Sequence, residues 1–344
     1  MCPPTQSARK RLLLAALCIA AIHANVALAA GIELVDPCPP TPLEAEVLAD
    51  AGNGRFSRHT LIEAALVAGG VDRFDQLQIG CRKYEACSHA IQIACRGQQS
   101  PRRRARIILE LMHRDILTGG YDPSANQLSR LFDDGKFNCV SATVLFNALA
   151  ADCGLDVRAI ELPTHAYSVV AEGDQSFIVE TTCPTWFNES QQPRPSMDAA
   201  NGREVSPAAL VAVIFYNRGT AALGKNEFAE AVSANLRALR LDPTNAAARG
   251  NLLAALNNWA LDRCQSGKYP EAIALLDEGR RLDAEHQPFL LNRRHVYRLW
   301  IESLIAAGQN DEAVAVLAAA RNGDQDCPLW ETYSQQIGVS QAGL

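Results

Sequence analysis

The stretch GKFNCVSATVLFNALAADCGLDVRAIELPTHAYSVVAEGDQSFIVET, residues 135–181, decides the fold. Asn138 precedes an apolar run from Val140 to Leu149 that stops at Cys153-Gly154, which predicts a helix of about fourteen residues. Asn138 fits its N-cap, because a short side-chain oxygen there accepts an otherwise unpaired backbone N–H. Gly154 fits the stop, because glycine enters the left-handed turn without a Cβ clash. Three runs of strand-forming residues follow: Val157–Leu162, closed by Pro163, then Ala166–Ala171 and Phe177–Thr181. The last two flank Glu172-Gly173-Asp174-Gln175, a Gly-Asp turn of the kind that closes a β-hairpin. Helix, strand, strand, strand in that order predicts an antiparallel sheet with helices on one side, an α+β unit.

That layout places three reactive side chains in relation. Cys139 falls in the first turn of the helix, where unpaired N–H groups and the helix dipole stabilise a thiolate. His165 opens the first strand of the hairpin. If the turn centres on Gly173-Asp174, paired positions sum to 347, so His165 faces Thr182 and Glu180 faces Tyr167. His165 and Glu180 then share a face as diagonal neighbours, within reach of one another. A thiolate, an imidazole that exchanges its proton and a carboxylate that orients the imidazole form a nucleophilic triad.

Gly135-Lys136-Phe137-Asn138-Cys139, Ala142, Leu145-Phe146, Gly154-Leu155, Val157-Arg158, His165-Ala166-Tyr167 and Val179-Glu180-Thr181 together resemble the core of the transglutaminase-like superfamily. The resemblance implies a papain-like core with a Cys, His, Asp triad. Carried over, Cys139 is the nucleophile, His165 the base and Glu180, in place of the usual Asp, the orienting acid. It implies oxyanion donors at the Cys139 backbone N–H and the Asn138 amide, and no metal or organic cofactor. A metal site from Cys139, His165 and Cys183 lacks the short paired-ligand spacing such sites use.

Upstream, residues 41–118 read as helices. Ser57 and Thr60 precede Leu61-Ile62 and Ala64-Ala65-Leu66, a second helix covers about Gln76 to Ala94, and a third starts after Pro101. Arg102, Arg103, Arg104 and Arg106 open that third helix against its dipole and read as a solvated face. At the N-terminus, Arg9-Lys10-Arg11, the apolar run Leu12–Ile22 and Ala27-Leu28-Ala29 read as an export signal over residues 1–29, removed on secretion to the periplasm or outside. A membrane contact is expected only if that segment stays uncleaved. Without it the chain keeps 29 basic and 38 acidic residues, a net charge of −9, which excludes a nucleic-acid partner.

Export makes the cysteines informative. Nine of the eleven lie beyond residue 29: Cys38, Cys81, Cys87, Cys95, Cys139, Cys153, Cys183, Cys264 and Cys327. In an oxidising compartment an even number can pair, and nine leaves at least one thiol over. Cys183, three residues after Glu180, is expected in a disulfide, with Cys153 as a partner. His59, His89, His113, His286 and His295 have no such company and read as structural.

The domain expected over 38–190 gives way to a linker at 191–207, rich in Pro, Gln, Asn and Ser toward its start, and then to repeats over 208–335. Glu230-Ala231-Val232, Glu271-Ala272-Ile273 and Glu312-Ala313-Val314 recur every 41 residues. Gly219, Ala260 and Ile301 keep the same period, as do Ala238, Gly279 and Ala320. Fixed-period helix pairs make a solenoid. The first unit, Phe215 to Leu241-Asp242-Pro243, resembles a tetratricopeptide repeat, with Gly219, Ala231 and Ala238 at the small packing positions. The resulting expectation is an exported cysteine enzyme acting on amide bonds by hydrolysis or acyl transfer, with a protein or peptide partner held by the repeats. Its rival is an adaptor in which the α+β unit only scaffolds the repeats.

Overall fold

A computed structural model describes residues 36–188 and 202–338. The expected export signal over 1–29 lies outside the described residues, as does the part of the expected linker from 191 to 201.

Four helices lead in: α1 (Pro42–Asp50), α2 (Leu61–Ala68), α3 (Phe74–Cys95) and α4 (Pro101–Asp115). Thr41 with Glu44 and Thr60 with Glu63 form reciprocal capping boxes at the starts of α1 and α2, satisfying N–H groups that the helix itself cannot. Ser100 caps α4, and Ala105, Ile108, Leu109 and Met112 make its buried stripe. The arginine run is more engaged than a solvated face. Arg104 Nη1 donates to the Cys153 carbonyl at 2.7 Å, the Arg102 guanidinium stacks 4.4 Å over the Phe177 ring, and Arg106 pairs with Glu110 at 2.7 Å.

Next come β1 (Gly120–Tyr121), α5 (Ser129–Asp133) and β2 (Lys136–Phe137), with β1 and β2 in a two-residue parallel bridge. Gly135 makes the turn into β2. Its φ of +70° and the Thr118–Gly119 backbone against it leave no room for a Cβ. Helix α6 (Cys139–Asp152) follows, with every residue from Val140 to Ala150 buried. A helix apolar on all sides is an interior element.

The sheet comprises β3 (Val157–Leu162), β4 (His165–Glu172), β5 (Gln175–Val179) and β6 (Arg203–Val205), all antiparallel in the order β5-β4-β3-β6. The hairpin pairs Ser168 with Val179 and Glu172 with Gln175, the register that a turn at Gly173-Asp174 dictates. Helices α4 and α6 both pack on β4, so the unit is α+β. Strand β6 is a departure from the expected linker over 191–207: Ala159 pairs with Val205, and the end of that segment belongs to the sheet.

Seven helices complete the chain: α7 (Pro207–Gly224), α8 (Phe228–Leu241), α9 (Ala246–Gln265), α10 (Tyr269–Leu282), α11 (Gln287–Ala306), α12 (Asn310–Asn322) and α13 (Leu329–Ile337). The described residues fall into two compact units, one of those up to 225 together with 233–251, the other of 226–232 together with those from 252 onward. The division differs from the expected boundary at 208, because α7 and most of α8 belong to the first unit. The physical reason is burial. Every residue from Ala208 to Phe215 is buried, and charged groups add ties: Arg218 pairs with Glu44 at 2.9 Å, and Arg203 bridges Glu161 (2.5 Å) and Asp242 (2.6 Å).

In the second unit α10, α11, α12 and α13 pack each on the next. The periodic small residues of this unit behave as contact points: Ala231, Ala260, Ala272, Ala313 and Ala320 are all 0% exposed, as is Ala238 in the first unit. A Cβ on Gly279 would strike the Phe289 ring. Helices α9 and α11 have 20 residues each, which accounts for the long period. Among the described residues no helix is long and apolar enough to cross a membrane.

Candidate active site

Cys139 is the first residue of α6, partly exposed, directly after the N-cap Asn138. Asn138 Oδ1 accepts from the Ser141 N–H at 2.9 Å, and Ser141 Oγ accepts from the Asn138 N–H at 3.0 Å. The remaining end of the amide is engaged too: Asn138 Nδ2 donates to Asn126 Oδ1 at 3.0 Å. With 4% exposure Asn138 is a buried cap, its carbonyl oxygen spent on the helix start and one of its two amide protons on Asn126.

His165 and Glu180 meet across the hairpin. His165 Nε2 lies 2.7 Å from Glu180 Oε2, and the Cys139 thiol is the neighbour that acts most strongly on the imidazole pKa. Glu180 Oε1 takes the Thr182 hydroxyl at 2.8 Å and the Thr182 N–H at 3.2 Å. One carboxylate oxygen therefore serves the imidazole and the other fixes the carboxylate. Burial works to raise the Glu180 carboxyl, but its bonds to His165 and Thr182 outweigh it and hold the pKa below the ordinary value. The Cys139 thiol and the Glu180 carboxylate raise His165 to about 10, against burial acting the other way. At neutral pH the ring is an imidazolium facing a sulfur, the state from which a leaving group is protonated.

Two further side chains escaped the sequence analysis. His113, expected to be merely structural, places Nε2 2.9 Å from the Thr181 carbonyl and packs edge-on against Phe137. Burial lowers its pKa, so the ring is neutral and meets a carbonyl by donating. Thr181 is also bonded through its hydroxyl to Thr143 of α6 at 3.0 Å. The residue after Glu180 is thus pinned to both α4 and α6, with Cys139 and Glu180 flanked by Phe137 and Thr181. The second is Tyr121, at the end of β1, whose hydroxyl is near enough to Cys139 for its thiol to help raise the phenol pKa, after burial. No periodicity marks a two-residue strand, so nothing in the sequence pattern exposes that contact.

All nine cysteines of the described residues are free thiols, which departs from the disulfides expected of them. The expected pairing of Cys183 with Cys153 fails on distance. Cys183 follows Glu180 near the start of α6 and touches the Thr185 hydroxyl at 3.7 Å. Cys153 caps the other end of a helix that spans about 20 Å, and its neighbour is the Cys95 thiol. Among the described residues no group of three or more His, Cys, Asp or Glu side chains is placed to hold a metal ion.

Among solved structures, four chains match. One is a crystal structure of menin that reveals the binding site for Mixed Lineage Leukemia (MLL) protein. It is 14% identical, with a TM-score of 0.45, over 81% of this chain and 68% of that one. No curated protein matches the chain. Residues 264–337 match the tetratricopeptide repeat family. The match falls on the later helices and not on the first unit, whose residue pattern carried the expectation. The chain therefore combines an α+β unit with a tetratricopeptide repeat segment at 264–337.

Proposed function

We propose that the α+β unit is a transglutaminase-like cysteine enzyme on a papain-like core, acting on amide bonds of proteins or peptides. The observation that carries this proposal is the 2.7 Å His165–Glu180 bond set against a cysteine at a helix start. Cys139 sulfur attacks the amide carbonyl, and the tetrahedral intermediate collapses as the His165 imidazolium protonates the departing amine. The imidazole then takes a proton from water, which attacks the thioester and releases the acid and the thiol. Glu180 keeps the imidazole in one tautomer and orientation throughout. Export directed by residues 1–29 belongs to the same proposal, and the tetratricopeptide segment supplies a surface for a protein partner.

Iodoacetamide at neutral pH, followed by peptide mapping, tests it. Cys139 is expected to carry the label first among the nine thiols, and His165→Ala to slow its labelling. An unlabelled Cys139 in the native protein overturns the enzyme proposal. The tetratricopeptide match at 264–337 favours a second proposal, a non-catalytic adaptor, which that result would leave standing.

A further inference from the structure

An acyl-transfer site needs two donors for the oxyanion, and Asn138 is only 4% exposed, with its Oδ1 taken by the Ser141 N–H and one of its two Nδ2 protons by Asn126. The Cys139 backbone N–H is one donor by position, at the start of a helix. Tyr121 stands next to it. The β1–β2 bridge pairs Tyr121 with Phe137, two residues before Cys139, and the Asp122 N–H fastens the strand to the Phe137 carbonyl at 2.8 Å. The Tyr121 ring lies edge-on to Phe137 at 5.8 Å, and its hydroxyl is close enough to Cys139 for the thiol and the backbone there to act on its pKa. Tyr121 is nevertheless 53% exposed. A large aromatic side chain is held at the surface with its polar end near Cys139.

We propose that Tyr121 is the second oxyanion donor of the site, a proposal that rests on Cys139 being the nucleophile. In the free protein the phenol oxygen accepts the Cys139 N–H, filling the position that a substrate oxygen takes. When an acyl carbon bonds to the sulfur, its oxygen displaces the phenol from that N–H, and the hydroxyl turns to donate to the same oxygen. A phenol does both, since it is donor and acceptor at once. Burial, the Cys139 sulfur and the Glu180 charge raise the Tyr121 pKa, so the proton to be donated stays in place at working pH.

The test is hydrolysis of p-nitrophenyl acetate by the full chain, alongside alkylation of Cys139 by iodoacetamide. Ester attack builds an oxyanion and alkylation does not, so the two readouts separate the roles. Tyr121→Phe is expected to lower kcat by about 10²-fold with KM little changed, while the alkylation rate stays within about twofold of wild type. An unchanged or higher kcat overturns the proposal, and so does a parallel fall in alkylation, which would make Tyr121 a partner of the thiol alone. Cys139→Ala tests the underlying proposal separately. Ester turnover that survives it removes the nucleophile and Tyr121's role together, whereas turnover lost in Cys139→Ala but kept in Tyr121→Phe removes only the latter.

Discussion

Cys139 and Cys153 sit at the two ends of one helix, and both are half-buried. Cys139 faces free N–H groups, an imidazolium and a phenol. Cys153 faces the carbonyl end of α6, where burial and then the Cys95 thiol push its pKa up to about 12. Arg104 lowers it, but that cation is spent largely on the Cys153 carbonyl. Exposure does not separate these thiols. The direction of the helix and the company at each end do, since dipole and orphan groups favour an anion at one terminus and oppose it at the other.

The largest expected effect lies at the N-terminal end. Glu180→Gln leaves His165 bonded but without a charge to hold its tautomer, and Cys139-dependent ester turnover should fall on the order of 10³-fold. Cys153→Ala should leave the rate within about twofold. Equal losses in the two variants, measured as kcat/KM, would break the comparison.

At the other end the expected effect is on stability. Cys95 and Cys153 are neighbouring thiols that act on each other's pKa, with 57 residues between them in sequence. Oxidised glutathione should join them by disulfide exchange, releasing reduced glutathione and stabilising the fold by up to about 4 kcal/mol in urea unfolding. Non-reducing peptide maps that show Cys153 joined to Cys183 instead would contradict the placement of both residues.

The smallest effect separates the ends by pH. His165 rises from 6.5 to about 10 on folding, so the stability it contributes is full below pH 6.5 and is lost as pH climbs toward 10. The Glu180 pKa is lowered, so its contribution is present above its ordinary pKa and disappears on acidification. Cys153 rises from 9.0 to about 12, so its effect is confined to the range above 9. His165→Gln should therefore flatten the decline in urea stability between pH 6.5 and 9, and Cys153→Ala only the part beyond. A wild-type profile flat from pH 6.5 to 9 would remove the His165 assignment.

Much of this was legible before any coordinates. Gly173-Asp174 set the hairpin register, because a period of two leaves one pairing for a given turn. Asn138 marked the helix start through its capping chemistry. Three features were hidden, each for its own reason. Arg203–Val205 is too short to show alternation and follows a segment rich in turn formers. Tyr121 depends on a parallel bridge between residues 16 apart in sequence, which no local pattern encodes. His113 belongs to a helix whose amphipathic stripe shows a buried face but not what lies across from it. The first repeat is recognisable as helical, yet its absorption into the α+β unit follows from the burial of Ala208–Phe215 in α7.

Helix α4 touches both ends of this system: Arg104 binds the carbonyl end of α6, and His113 binds Thr181 beside Glu180. The two contacts share one rigid rod, so their separation and angular offset are set by the number of residues between them. A single residue inserted between Arg104 and His113 would swing one contact about 100° around the axis and shift it by about 1.5 Å. The segment 105–112 is thus a gauge block: its side chains can be exchanged for others that fill the same core, but its length cannot change.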